Sequence, residues 1–107
     1  MTSVRFCCDS RGRLCGFTVL GHTGYAPEGE DIVCAGVSAL TQTAVNALET
    51  VAHAPASVIV RSGFLSVRLH KGLSARQQYA ARIILRSVRQ GLEDIAEAYP
   101  AHLKVSE

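Results

Sequence analysis

His22 and Cys34 are the side chains in this sequence from which a thiol nucleophile and its base could be made, and they stand at the two ends of one glycine-rich stretch. That stretch reads Gly21-His22-Thr23-Gly24-Tyr25-Ala26-Pro27-Glu28-Gly29-Glu30-Asp31. Thiolate, not thiol, is the attacking species, so a reactive cysteine needs something that favours its negative charge. From Ile32 the apolar residues recur at helical spacing, and Asp31 is of the right type to cap a helix starting there. Cys34 would then be the third residue of the first turn, where the positive end of the helix dipole favours thiolate. The same unpaired amides could hold the oxyanion of an attacked carbonyl. His22 leaves a strand directly, and the loop is long enough to fold it back onto Cys34 as a general base. Ser38 lies one turn after Cys34 and Asp31 one turn before it. Ser38 could donate toward the site. Asp31 could orient His22, but capping competes for the same oxygens.

Each of these residues also has an ordinary reading. Cysteine is among the most often buried residues and commonly acts as a small hydrophobe. Cys7, Cys8 and Cys15 keep that reading, and a hairpin centred on Arg11 places Cys7 opposite Cys15. His53 reads as a residue at a helix C-terminus and His70 as one at a strand end. Ser38 is more often a plain helix residue and Asp31 only a cap. Cys34 stands apart because a helix start, a preceding glycine-rich loop and a histidine at the loop's far end coincide. The four cysteines lack the spacing of a zinc site or of a secreted disulfide framework.

The elements that position these residues follow from periodicity. Residues 3–8 alternate, with Val4, Phe6 and Cys8 on one face, and Asp9-Ser10-Arg11-Gly12 is turn chemistry. Residues 14–20 are a second strand, with Phe17 and Val19 on one face and Leu14, Thr18 and Leu20 on the other. A helix from Ile32 ends near His53-Ala54-Pro55. Residues 57–70 make a second hairpin about Arg61-Ser62-Gly63. Ser74 and Gln77 form a capping box that opens a helix to about Tyr99, stopped by Pro100. Residues 102–105 make a last short strand. The order ββαββαβ predicts an α+β fold, a two-layer sandwich with two helices on one face of the sheet. The 107 residues suit a single domain, 1–107.

Composition narrows the function classes. Hydrophobic residues are 48% of the chain and charged residues 19%, enough apolar content for a core. A net charge of +2 is too mild to argue for direct nucleic-acid binding. The cluster Arg76, Arg82, Arg86 and Arg89 reads as the solvated face of a helix. No leader-like apolar run follows Met1 and none could span a bilayer, so the expectation is a cytoplasmic protein with reduced thiols and no membrane partner.

Gly21-His22 followed by Gly29-Glu30-Asp31-Ile32-Val33-Cys34-Ala35-Gly36-Val37-Ser38-Ala39-Leu40 resembles the signature of the ribosomal-processing cysteine protease (Prp) family. The likeness extends to Leu92-Glu93-Asp94-Ile95-Ala96-Glu97-Ala98-Tyr99-Pro100 and so covers nearly the whole chain. It implies a homodimeric cysteine endopeptidase without a cofactor, in which Cys34 and His22 are the catalytic pair. It further implies a substrate: a large-subunit ribosomal protein made with a short N-terminal extension that the enzyme removes. Thr23 stands where members often have alanine, and the loop between His22 and Asp31 otherwise has its own sequence. The competing expectation is a non-enzymatic dimeric module that binds a ribosomal protein during ribosome assembly. A metal site built on His22 and Cys34 lacks further ligands at suitable spacing.

Overall fold

Alternation of apolar and polar residues produces the first two strands, β1 (Thr2–Cys8) and β2 (Leu14–Leu20). The structure is a computed structural model that describes residues 1–21 and 28–107, with side chains in the first helix from Ile32 onward. The remaining elements are α1 (Glu28–Thr50), β3 (Ala56–Arg61), β4 (Phe64–Leu69), α2 (Ala75–Ala98) and β5 (Leu103–Ser106). Among the described residues the strands form a five-stranded sheet in the order β3-β4-β2-β1-β5. All neighbours are antiparallel except β1 and β5, which run parallel. This is the α+β arrangement expected from the ββαββαβ order.

One face of the sheet is buried under the helices. Val4 and Phe6 of β1, Phe17 of β2, Val67 of β4 and Leu103 of β5 meet Val33, Val37, Ala44 and Leu48 of α1 and Ala81, Leu85 and Leu92 of α2. Phe6 and Phe17 pack ring against ring with centroids 5.6 Å apart. The helices cross closely at two glycines. A Cβ on Gly36 would sit 3.0 Å from Ile95 Cδ1, and one on Gly91 would sit 3.0 Å from Leu40 Cδ1. The expected capping box is present, with Ser74 Oγ accepting from the Gln77 amide at 3.1 Å and Gln77 Oε1 accepting from the Ser74 amide at 2.8 Å.

Three details depart from the sequence reading. Cys7 pairs with Gly16 and Cys8 with Leu14, so Cys15 is an extra residue in a β-bulge rather than the partner of Cys7. The bulge shifts the phase of β2, so Leu14 packs against the core instead of facing outward with Thr18. The second departure is the start of α1, at Glu28 rather than Ile32. Pro27 stands just before this start, and Glu28, Glu30 and Asp31 fill the first turn, where acidic residues suit the helix dipole. The third concerns the end of α1. Thr50 is its last residue, and His53 lies beyond it at a φ of 51°, where its carbonyl accepts from Gln77 Nε2 at 2.6 Å. His70, as expected, follows a strand, with its Nε2 3.1 Å from Ser57 Oγ.

Candidate active site

Cys34 is the seventh residue of α1 and half-buried. It therefore belongs to the second turn, not the first. The dipole's influence falls off within the first turn, and the unpaired amides belong to the first four residues. The helix start thus lies a turn ahead of the thiol rather than beneath it. Asp31 sits inside the helix and does not cap it, and its side chain lies outside the described residues. Gly29, at the end of the glycine-rich stretch, is also part of α1.

The wheel of α1 sets the direction in which Cys34 looks. Successive residues turn by about 100°. Val33, Val37, Ala44 and Leu48 face the sheet, while Gly36 and Leu40 face α2. Cys34 falls on the opposite flank, away from α2, together with Ser38, Val45 and Glu49. Ser38 is exposed there, one turn along from Cys34. Behind them, the buried Thr41 hydroxyl donates to the Val37 carbonyl at 2.9 Å.

At the other end of the glycine-rich stretch, Gly21 adopts a φ of 109°, in the region that favours glycine. A Cβ there would meet the Met1 carbonyl oxygen at 2.5 Å. Its N–H donates to the Gly63 carbonyl at 3.1 Å, tying the end of β2 to the β3–β4 turn. Gly21 is thus a constrained joint at the point where the chain departs toward His22. His22 itself and its expected approach to Cys34 lie outside the described residues, as do residues 23–27. Glu28, Gly29 and Glu30 belong to α1.

The other three cysteines occupy different chemistry. Cys7 and Cys15 lie with their sulfurs 3.5 Å apart across the bulge. Burial first, and then the hydrogen bond with Cys7, pushes the Cys15 thiol up to about 11. The Cys8 thiol donates to Glu107 Oε1 at 3.2 Å, and that bond, with burial, raises it as well. No disulfide links any of the four. Among the described residues no three His, Cys, Asp or Glu groups gather where a metal could sit, and no helix is long and apolar enough to cross a membrane.

Comparison with known proteins gives a consistent pattern. The family described as Cysteine protease Prp matches residues 1–104. The ribosomal processing cysteine protease Prp of Bacillus subtilis (strain 168) is 28% identical over 92 residues, covering 84% of this chain and 82% of its own. Two solved structures of the essential ribosomal processing protease Prp from S. aureus share the fold over 100% of both chains. One, in complex with a substrate peptide, has a TM-score of 0.86 at 23% identity. The other, with a covalently linked product peptide, has a TM-score of 0.83 at 24% identity.

Proposed function

The chain belongs to the cysteine protease Prp family, and on that premise we propose that it removes a short N-terminal extension from a large-subunit ribosomal protein, with Cys34 as nucleophile and His22 as general base. The observation that carries this reading is the family match over residues 1–104, which contains both residues. The half-buried position of Cys34 on the flank of α1 that faces away from α2 supports it.

His22 takes the thiol proton as the Cys34 sulfur attacks the carbonyl carbon of the scissile bond. Hydrogen-bond donors then hold the oxyanion, and the first-turn amides of α1 are those nearest in the chain that lack helical acceptors. The imidazolium gives its proton to the leaving amine as the C–N bond breaks. Water, deprotonated by His22, attacks the resulting thioester, and the thiol is restored as the extension leaves with a free carboxylate. Asp31 and Ser38 are supporting residues in this scheme, and Gly21 fixes where His22 begins. The setting is the cytoplasm, where ribosomal proteins are made and thiols stay reduced.

The enzyme acts as a homodimer. The sheet carries helices on one face only, and its other face exposes Leu20 and Ile59, 49% and 46% accessible, a surface that a second copy would cover. Light scattering should report twice the chain mass of 11.4 kDa, and a clean monomer would refute the dimer.

The deciding experiment incubates an extended ribosomal protein with wild-type and Cys34→Ala enzyme. Wild type should release the extension. Cys34→Ala should be slower by on the order of 10⁴-fold or more, as when a catalytic nucleophile is lost, with its circular dichroism unchanged. Binding without cleavage by the wild type would instead favour a non-enzymatic escort.

A further inference from the structure

The first hairpin brings two thiols together and leaves a third out. Cys7 pairs with Gly16 across the β1–β2 ladder, and the extra residue of the bulge, Cys15, stands beside that pair. Gly16 carries no side chain, which leaves room opposite Cys7 for the neighbouring sulfur. The Cys7 and Cys15 sulfurs are 3.5 Å apart, and the Cys15 sulfur also lies 3.6 Å from the Cys7 carbonyl oxygen. A disulfide spans about 2.0 Å, so the two need close by only about 1.5 Å. Alternation along β1 turns Cys8 to the other side of the strand, where its thiol donates to Glu107. Neither Cys7 nor Cys15 has a part in the reaction proposed above.

The surroundings select the reagent. Cys15 lines a cleft of about 660 Å³ between the first hairpin, the end of β4 and the start of α2. Arg13, Arg68, Lys71 and Arg82 line the same cleft, and the carboxylate there, that of Asp9, is bound to Arg13 at 3.0 Å. Lys71 and Arg82 make no ion pair among the described residues. A small molecule that approaches Cys15 through the cleft therefore meets an excess of positive charge.

We propose that Cys7 and Cys15 form a modification site at which a small anionic disulfide, of the class of oxidised glutathione, closes a reversible intrachain disulfide. The Cys15 sulfur, its proton lost to water, attacks one sulfur of the reagent; the reagent's S–S bond breaks and one thiolate leaves. The Cys7 sulfur, on losing its own proton, attacks the Cys15 sulfur of this mixed disulfide and expels the second thiolate. The chain gives up two hydrogens and two electrons, and the reagent is reduced to two thiols. The Cys15 thiol is pushed up to about 11, by burial first, so the opening attack is slow, whereas the closing attack comes from a sulfur already in place. The bond ties β1 to β2 at the bulge without consuming Cys34.

The test uses the whole chain carrying Cys34→Ala, which removes the proposed nucleophile. Reduced protein is incubated with oxidised glutathione, remaining thiols are blocked with iodoacetamide at intervals, and the products are mapped by mass spectrometry. The main product should be two hydrogens lighter, with the peptide that holds Cys7 cross-linked to the one that holds Cys15, and dithiothreitol should reverse it. Cys7→Ser should stop at a mixed disulfide on Cys15, and Cys8→Ser should close as fast as its parent. Cystamine, a cationic disulfide, should react at least tenfold more slowly than oxidised glutathione, each rate taken relative to that with free cysteine. Lys71→Glu should narrow that gap severalfold. Absence of the cross-link in the parent protein would overturn the proposal, as would a cross-link lost in Cys8→Ser or kept in Cys7→Ser. Equal relative rates with the two reagents would overturn the choice of an anionic one.

Discussion

The two long sides of the molecule are built from the same parts and finished differently. On the β5 side, α2 lies down on the sheet along most of its length, burying Leu85 and Leu92 completely and closing over Leu103. On the β3 side, α1 stops short of the edge strand and leaves two valines of its helix-facing side, Val58 and Val60, exposed. The covered side holds the fold together, while the open side leaves apolar surface uncovered.

The contrast is broken most severely from the middle of the sheet. Gly16 has no room for a side chain, since its Cβ would sit 1.9 Å from the Val67 carbonyl oxygen in the β2–β4 ladder. Gly16→Ala should cost more than about 3 kcal/mol or abolish folding, measured by urea denaturation. Leu92→Ala, on the covered side, should cost about 3–4 kcal/mol by the same measurement because it empties a fully buried site. Val60→Ser on the open side should cost less than about 0.5 kcal/mol. Near-equal losses for Leu92→Ala and Val60→Ser would end the distinction between the two sides.

Smaller effects sharpen the comparison at the joints and thiols. Gly21→Ala meets both an unfavourable φ and the Met1 carbonyl. It should lose roughly 1–3 kcal/mol, with a larger proportional loss of cleavage as the departure toward His22 shifts. Against iodoacetamide at pH 8, Cys15 should be modified slowly, its thiolate about 100-fold scarcer than that of a thiol at the ordinary value of 9.0. Mass spectrometry of the peptides should find Cys34 labelled first. Least of all, Asp9 in the first hairpin turn accepts from the Arg13 and Arg11 amides, and these bonds, that of Arg13 foremost, lower its carboxyl below 3.8. A lowered folded-state value means that the stabilisation is present above pH 3.8 and lost as the pH falls through the lower value. The Tm advantage of wild type over Asp9→Asn should therefore shrink below about pH 4.

Most of this architecture can be read from the residues. Alternation gives both hairpins, and Ser74 with Gln77 gives the start of α2. Three matters escape. Gly29 reads as loop, but the helix absorbs it because it starts at Glu28, just after Pro27, with acidic residues in its first turn. An extra residue in a β ladder leaves no periodic mark, so the bulge at Cys15 and the inward turn of Leu14 are seen only in the pairing. The alternating valines of β3 predict a buried face, and nothing local tells that α1 will fail to reach it. Cys34 is legible as a candidate from its neighbours, but the argument from the helix start weakens once the start moves back a turn.

The hydrogen bond from Gly21 to Gly63 has a mechanical meaning. It fastens the tip of the β3–β4 hairpin to the residue that precedes His22. Force applied along β3 reaches that point through one strand and one bond, without passing through the helices. Strand β3, whose helix-facing side stays open, and the residue that precedes His22 are thus joined through a pair of glycines.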